Sequence, residues 1–270
     1  MLYLVGTPIG NLGDMSPRAV EVLSEADLIA CEDTRRAGLL LQSLGVENKL
    51  FSYHEHNKAA KGPVLVSRMK KGENICLVSD AGMPSISDPG EDLVKLCIEE
   101  GVEVSVVPGP VAAISALVLS GLDTRRYHFE GFLPSENKPR RERLEELAKI
   151  RETMIIYEAP HRLNKLISEL IEYGFGDSNA AFCRELTKKY EQVIRLTVSE
   201  AQDYFETTPP KGEFVICLSP APENPEENVD VDALIDKLLD EGLSTKEIAA
   251  RIAELTGRSK KELYNYIIGR

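Results

Sequence analysis

The sequence predicts an α/β protein built from two α/β domains in succession and closed by a small helical module. Three observations carry this. Short apolar runs alternate with amphipathic segments through the first 120 residues. After Leu122 the same ingredients recur in a different order, with strands following one another closely. A proline-rich acidic stretch then precedes three short helical patterns. The resulting division is 1–120, 121–220, a linker at 221–229, and 230–270.

In the first domain the strands are LYLV, DLIAC, KLFSY, NICLVS and VEVSVV, separated by helices near 17–25, 34–44, 57–71 and 89–100 and followed by a small-residue helix near 110–120. Strands that are apolar throughout, rather than alternating, suit a parallel sheet covered on both faces. Ser16-Pro17 is a helix start, with serine as N-cap and proline at the first helical position. In the second domain HFEGF, a charged helix near 138–149, TMIIYE, a helix near 161–173, NAAFCR, VIRLTV, a short helix and EFVICLS follow in order. The turn-like KKYEQ and TTPPKGE leave little room for crossovers, so part of this sheet is expected to be antiparallel. PAPENPEENVD is a linker by composition. Beyond it lie helices at 230–241, 245–256 and 260–268, with Ser244-x-x-Glu247 and Ser259-x-x-Glu262 fitting capping boxes. The last two, joined by TGRS, resemble a helix-turn-helix, a shape shared by nucleic-acid contacts and plain packing modules.

Composition narrows the function. Hydrophobic residues at 43% against 28% charged describe an ordinary globular chain, not a disordered one. MLYLVGTPIGN lacks a basic leader, and the apolar region Val111 to Leu119, interrupted by Ser115, falls short of the ~18 residues a membrane span needs. Five scattered cysteines in apolar runs suit reduced core positions in a cytoplasmic protein. A net charge of −12 weighs against a nucleic-acid partner. That charge is uneven, however: 223–243 holds eight acids and one base, whereas 244–270 holds six bases and three acids.

The chemistry-bearing segments cluster at strand ends. Gly6, Gly10 and Gly13 do not make the G-x-G-x-x-G dinucleotide fingerprint, and no Walker lysine is present. They serve either chain reversal or close approach of backbone to a ligand. The run Asp80 to Gly90, dense in Gly, Pro, Ser and Asp, follows a buried strand directly, where open α/β sheets bind ligands. Pro108-Gly109-Pro110 adds a rigid turn at the same edge, and Val111, Ala112 and Ala113 leave room against a helix N-terminus. His54-Glu55-His56 offers two imidazoles but no third ligand at metal spacing, so no metal is expected. Lys138, Arg140, Arg141 and Arg143 form either a solvated helix face or a phosphate contact.

GTPIGNLGD, IACEDTRR, SYHEHN, LVSDAGMPSISDPG, VVPGP, FEGFLP, YEAPHR, CREL-TKKYE and KGEFVI follow in order over residues 1–220. In these segments the chain resembles the ribosomal RNA small-subunit cytidine 2'-O-methyltransferase family, within the tetrapyrrole methylase superfamily. The resemblance implies a tetrapyrrole-methylase-like fold with S-adenosylmethionine in a cleft between two α/β domains. Matched positions for the cofactor are Pro8, Asp80, Met83, Val111, Ala112, Tyr157, Leu186, and Gly212 or Glu213. The reaction implied is methyl transfer to a cytidine ribose of 16S ribosomal RNA in the small subunit, by a homodimer, with no membrane or DNA partner. A sugar hydroxyl is a poor acid, so a base or cation beside it would help. Candidates are Glu32, Asp33 and Arg35, then Glu158, His161 and Arg162, then Arg184 and Glu185. Arg35 and Arg162 could equally bind phosphate or carboxylate, and Glu32 could cap the helix starting at Thr34. Two rival functions stand beside this one: a small-molecule, tetrapyrrole-type methyltransferase, favoured by the acidic charge, and a non-catalytic nucleotide-binding protein.

Overall fold

The computed structural model describes residues 1–222, 231–256 and 259–270. It divides into two compact units, Met1–Pro220 and Ala221–Arg270. Apart from its first two residues, the linker at 221–229 lies outside the described residues, as does Gly257.

The first unit holds two five-stranded sheets. The first comprises β1 (Leu2–Val5), β2 (Leu28–Cys31), β3 (Leu50–Ser52), β4 (Ile75–Val78) and β5 (Val104–Val107), ordered β3-β2-β4-β1-β5 and parallel throughout. Helices α1 (Pro17–Glu25), α2 (Thr34–Leu44), α3 (Lys58–Lys70) and α4 (Glu91–Glu99) make the crossovers. Alternate residues of the apolar strands serve opposite faces. Leu28, Ala30, Ile75 and Leu77 pack with Leu65, Met69 and Leu93, while Ile29, Cys31, Cys76 and Val78 pack with Ala19, Leu23 and Leu41. Burial on both faces is what continuous apolar strands demand. Because every strand runs the same way, the loops after β4, β1 and β5 emerge side by side at one edge.

The second sheet is ordered β6-β7-β10-β8-β9, from β6 (Tyr127–Phe132), β7 (Thr153–Glu158), β8 (Asn179–Arg184), β9 (Gln192–Thr197) and β10 (Phe214–Leu218). Only β6 and β7 are parallel, and the other pairs are antiparallel. Helix α6 (Asn137–Leu147) connects the parallel pair, followed by α7 (Pro160–Leu170) and α8 (Val198–Thr207). Phe182 and Phe214 meet Phe205 of α8 edge to face at 5.3 and 5.8 Å. On the opposite face α5 (Ala112–Ser120) buries Ala113, Ala116 and Leu117 against Ile155, Ala181, Cys183 and Cys217. The chain therefore changes sheets at Pro108–Pro110, one helix before the division read at 120. All five cysteines are buried and unbridged, and burial pushes the Cys76 and Cys217 thiols up to about 12.

The second unit packs α9 (Val231–Asp240), α10 (Thr245–Thr256) and α11 (Lys260–Gly269) around Ile235, Leu238, Ile248, Ile252 and Leu263. Its caps differ from the two boxes expected. The Glu247 carboxylate accepts from Ser244 N at 2.9 Å, but the Ser244 hydroxyl donates to that same carboxylate instead of accepting from the backbone. Ser259 makes no side-chain cap bond. Among the described residues no helix is long and apolar enough to cross a membrane.

Candidate functional site

Three loops of the first sheet are locked to one another at its carboxyl edge. Thr7, fully buried, pairs its backbone with Gly82 through bonds of 2.9 and 3.1 Å, tying the loop after β1 to the loop after β4. Gly6 and Gly109 touch backbone to backbone: a Cβ on Gly6 would stand 2.7 Å from the Gly109 Cα. A Cβ on Gly10 would stand 2.5 Å from Lys188 Cγ, in the loop after β8. Gly6 and Gly10 thus serve contact between loops.

Local backbone strain concentrates in the same place. Among the described residues, positive φ in non-glycine residues occurs at Ser85, Ser87, Glu185 and Thr187 only. The left-handed region costs roughly 1–2 kcal/mol per such residue and persists where surrounding contacts impose it. Glu185 N donates to Glu213 O at 3.0 Å, and Glu213 N donates to Glu185 Oε1 at 2.9 Å. Gly212 makes this possible, because a Cβ there would lie 2.6 Å from the Glu185 side chain.

Between these loops lies a cavity of about 380 Å³, within the ordinary range for small-molecule sites. Of the positions matched to a cofactor, Asp80, Met83, Val111, Ala112, Tyr157, Leu186 and Glu213 line it. Pro8 and Gly212 each stand one residue away from a lining position, Ile9 and Glu213 respectively. Of the eight candidates for base or cation, Glu158 lines the cavity and Glu32, Asp33, Arg35, His161, Arg162, Arg184 and Glu185 do not. Asp33, not Glu32, is the N-cap of α2: its carboxylate accepts from Arg35 N at 2.8 Å and pairs with the Arg35 guanidinium at 2.8 Å. Hydrogen bonding from Arg35 holds the Asp33 carboxyl at about 2, which makes it a poor proton acceptor.

Most charged groups around the cavity are already partnered. Asp80 pairs with Arg36 at 3.0 Å, and Glu213 with Lys188 at 2.9 Å. Glu158, fully buried, sits between Arg140 at 3.3 Å and Arg162 at 2.6 Å, and Arg140 also reaches Glu169 at 2.7 Å. Arg140 is therefore a buried structural cation, contrary to the solvated helix face or phosphate contact expected. Arg143 is likewise engaged, by Glu130 and Glu146 at 2.6 Å each. The Tyr157 oxygen accepts from Ala113 N at 3.1 Å, so one amide at the α5 N-terminus is already satisfied. Phe129 and Phe132 contact the Tyr157 ring edge to face at 5.3 and 5.4 Å, and burial pushes its hydroxyl pKa up.

Asp88 lines the cavity and was not singled out in the sequence, although it lies within the Asp80–Gly90 run. Burial, with repulsion from Glu32 and Asp80, pushes its carboxyl up to about 6 against the opposing Ser79 hydroxyl. Ile9, Phe132 and Phe214 also line the wall unannounced, since apolar residues at strand ends carry no local signal. His54 Nδ1 is buried without a hydrogen-bond partner. No group of three or more His, Cys, Asp or Glu placed to hold a metal occurs among the described residues. The whole is a largely apolar pocket with carboxylates contributed by both sheets, suited to a compact cationic ligand that also carries flat apolar surface.

Comparison with known proteins accords with this geometry. Residues 1–202 match the family described as Tetrapyrrole (Corrin/Porphyrin) Methylases, and residues 225–269 match the RsmI C-terminal HTH domain. The chain is 44% identical over 267 residues to the Ribosomal RNA small subunit methyltransferase I of Synechocystis sp., covering 98% of this chain and 96% of that one. It is 42% identical to the protein of the same name from Escherichia coli O157:H7, covering 99% and 94%. Among solved structures, diphthine synthase superposes with a TM-score of 0.62 at 14% identity, covering 81% of this chain and 90% of that one. A Thermus thermophilus uroporphyrin-III C-methyl transferase complexed with S-adenyl homocysteine superposes at 0.56 and 19% identity, covering 81% and 96%. These last two likenesses carry the fold alone.

Proposed function

The chain belongs to the tetrapyrrole methylase family and, by near-full-length identity, to its ribosomal RNA small subunit methyltransferase I members, and from that premise we propose that it methylates the 2'-hydroxyl of a cytidine ribose in 16S ribosomal RNA. The observation that carries the reading is the cavity itself, walled by the very segments that mark the family. Its residues fit S-adenosylmethionine. Asp80 and Asp88 offer negative charge to a sulfonium and an ammonium, while Ile9, Met83, Val111 and Leu186 offer apolar surface to an adenine ring. When bound, this cofactor supplies an electrophilic methyl group.

The protein's own contribution is alignment and exclusion of water, and orientation alone supplies on the order of 7–11 kcal/mol in well-placed reactions. The Thr7–Gly82 and Gly6–Gly109 contacts hold one wall, and the Glu185–Glu213 pair holds the other. Glu158 acts as a positioning residue that anchors Arg162, whose Nη2 also reaches the Leu133 carbonyl at 3.4 Å. Arg35, with 88% of its side chain exposed, is placed to meet phosphate. A homodimer working in the cytoplasm on the assembled small subunit completes the reading. Support for the dimer comes from the outer face of α5, where Ile114, Val118 and Leu119 stand exposed.

The test is to incubate small subunits from cells lacking this protein with enzyme and deuteromethyl-labelled S-adenosylmethionine, then digest the RNA and weigh its nucleosides. Label on a cytidine ribose is expected. Label on a cytosine ring, or transfer to a porphyrin precursor in place of RNA, overturns the reading.

A further inference from the structure

We propose that Phe132 and Ile86 form a platform that receives the base of the target nucleotide, stacked on the Phe132 ring, an inference that rests on the function proposed above. The need for such a surface follows from the chemistry. A ribose hydroxyl reaches a methyl donor held inside a cavity of about 380 Å³ only if its nucleotide is splayed from its neighbours, and the base then loses its stacking partners. Proteins that bind unpaired RNA replace that stacking with an aromatic side chain. Two residues of the cavity wall are open to such a partner. The apolar positions that suit adenine, Ile9, Met83, Val111 and Leu186, are buried or half-buried, whereas Phe132 and Ile86 are 58% and 49% exposed. Of the aromatic side chains in the wall, Phe214 is buried and Tyr157 half-buried, which leaves Phe132 to offer its ring to solvent.

The backbone is shaped to present both residues. Side chains alternate along a strand, so Phe129 and Phe132, three positions apart, would ordinarily point to opposite faces of the sheet. A bulge in β6 between Phe129 and Gly131 cancels one step of that alternation: Phe129 aligns with Ile155 and Phe132 with Tyr157, two positions apart on β7. Phe132 therefore shares a face with Phe129, and both meet the Tyr157 ring edge to face. Gly131 permits the bulge at φ +69, where a side chain would be strained. Beyond Phe132 the chain is pinned by the burial of Leu133 and by a bond of 3.3 Å from Arg140 to the Pro134 carbonyl. In the loop after β4, Ser85 and Ser87 bracket Ile86 in left-handed conformations, at φ +71 and +58. The Gly131 backbone abuts the Ser87 hydroxyl, to which a Cβ on Gly131 would stand at 3.0 Å, so Phe132 and Ile86 are brought together from the two sheets. Backbone held in costly conformations that keep apolar side chains in solvent serves a ligand and not the core. Stacking tolerates any base, so the platform places the nucleotide and leaves the reading of its identity to other contacts.

The experiment is a double-mutant cycle between protein and RNA. Wild type, Phe132→Ala, Phe132→Leu, Phe132→Tyr and Ile86→Ala act in single turnover on subsaturating small subunits, rebuilt with either cytidine or an abasic ribonucleotide at the methylation site. The 2'-hydroxyl is present in both. Transfer is followed with tritiated S-adenosylmethionine, cofactor affinity by calorimetry and mass in solution by light scattering. On the cytidine subunit Phe132→Ala should lower the rate roughly 5- to 150-fold, the range that stacking of a base on an aromatic ring supplies. Phe132→Leu should lose nearly as much, Ile86→Ala less, and Phe132→Tyr should stay near wild type. On the abasic subunit wild type and the Phe132 variants should react at one rate, a coupling that a merely structural role does not produce. Cofactor affinity and mass should be unchanged. A wild-type rate in Phe132→Ala, or equal losses on the two subunits, overturns the inference. So does a parallel fall in cofactor affinity, which would make the ring a shelf for adenine, or a change in mass that tracks the rate, which would make it a contact between copies. Should Phe132→Ala not fold, Phe132→Leu decides. Wild type that binds cofactor yet leaves the ribose of the cytidine subunit unmethylated refutes the functional assignment itself and removes the inference with it.

Discussion

Arg140 is 2% exposed and donates to Glu158, Glu169 and the Pro134 carbonyl at once. Removing one member of a buried ion pair strands the other, at a cost of about 3–5 kcal/mol. Arg162 still faces Glu158, so Arg140→Ala should cost near the lower figure, about 3 kcal/mol, read as a drop in the denaturation midpoint. An unchanged midpoint with weakened subunit binding would restore the surface reading of this helix. Asp80→Ala should weaken S-adenosylmethionine binding in calorimetry, because it removes a cavity carboxylate and frees Arg36. Asp88 carries a pH signature in the ligand-free protein. Its folded pKa of about 6 lies above the ordinary carboxylate value, so the native state binds the extra proton and its stability falls as pH rises from about 4 to about 6. Asp88→Asn should therefore be the more stable protein at pH 7.5, by an order of 1 kcal/mol once solvent access to a half-buried carboxylate is discounted, and lose that advantage by pH 4. The residue types of this site were legible in the sequence. Their pairing was not, because Asp80 and Arg36, or Glu158 and Arg140, are separated in sequence and meet only through the fold.

At the scale of elements, periodicity located the strands and helices because each face of the first sheet is buried by its own helix pair. Failures came where the cause was non-local. Helix α5 follows β5 in sequence, yet its apolar face matches the second sheet, and no local pattern says which sheet a small-residue helix will cover. The helix read to 173 ends as α7 at Leu170 and passes into a π-turn closed by Gly174 at φ +88. The glycine motifs were legible as motifs, but their loop contacts were not, because contact between Gly6 and Gly109 exists only once β1 and β5 are neighbours. Gly109→Ala would put a Cβ 2.8 Å from the Gly6 Cα, backbone against backbone, where neither side yields cheaply. Overpacking of this kind costs about 1–3 kcal/mol. The variant should melt earlier and bind S-adenosylmethionine more weakly, since the displaced turn bears Val111 and Ala112 of the cavity wall. Gly45→Ala, in a helix end with nothing within 4 Å, is the control that tests backbone conformation without crowding. It should lower stability and leave cofactor affinity unchanged.

For the whole molecule, net charge and substrate stand opposed: a chain of −12 is asked to work on a polyanion. The opposition eases once charge is taken by region, because the acidic excess of 223–243 is followed by a basic excess over 244–270. The helices from Val231 onward form a core of their own from Ile235, Leu238, Ile248, Ile252 and Leu263. Deletion of 223–270 should therefore leave a protein that melts cooperatively and binds S-adenosylmethionine with unchanged affinity, while losing affinity for small subunits, most visibly at low salt. An insoluble product would show that the module is needed for folding. The reaction's target is tested separately by a small subunit rebuilt with a single 2'-deoxycytidine at the methylation site. Phosphate contacts supply much of the affinity for RNA and survive this change, whereas the atom that accepts the methyl group is gone. Binding should persist and turnover should vanish. Methyl transfer to such a subunit, detected by mass in the digested nucleosides, would mean that the base and not the sugar is modified.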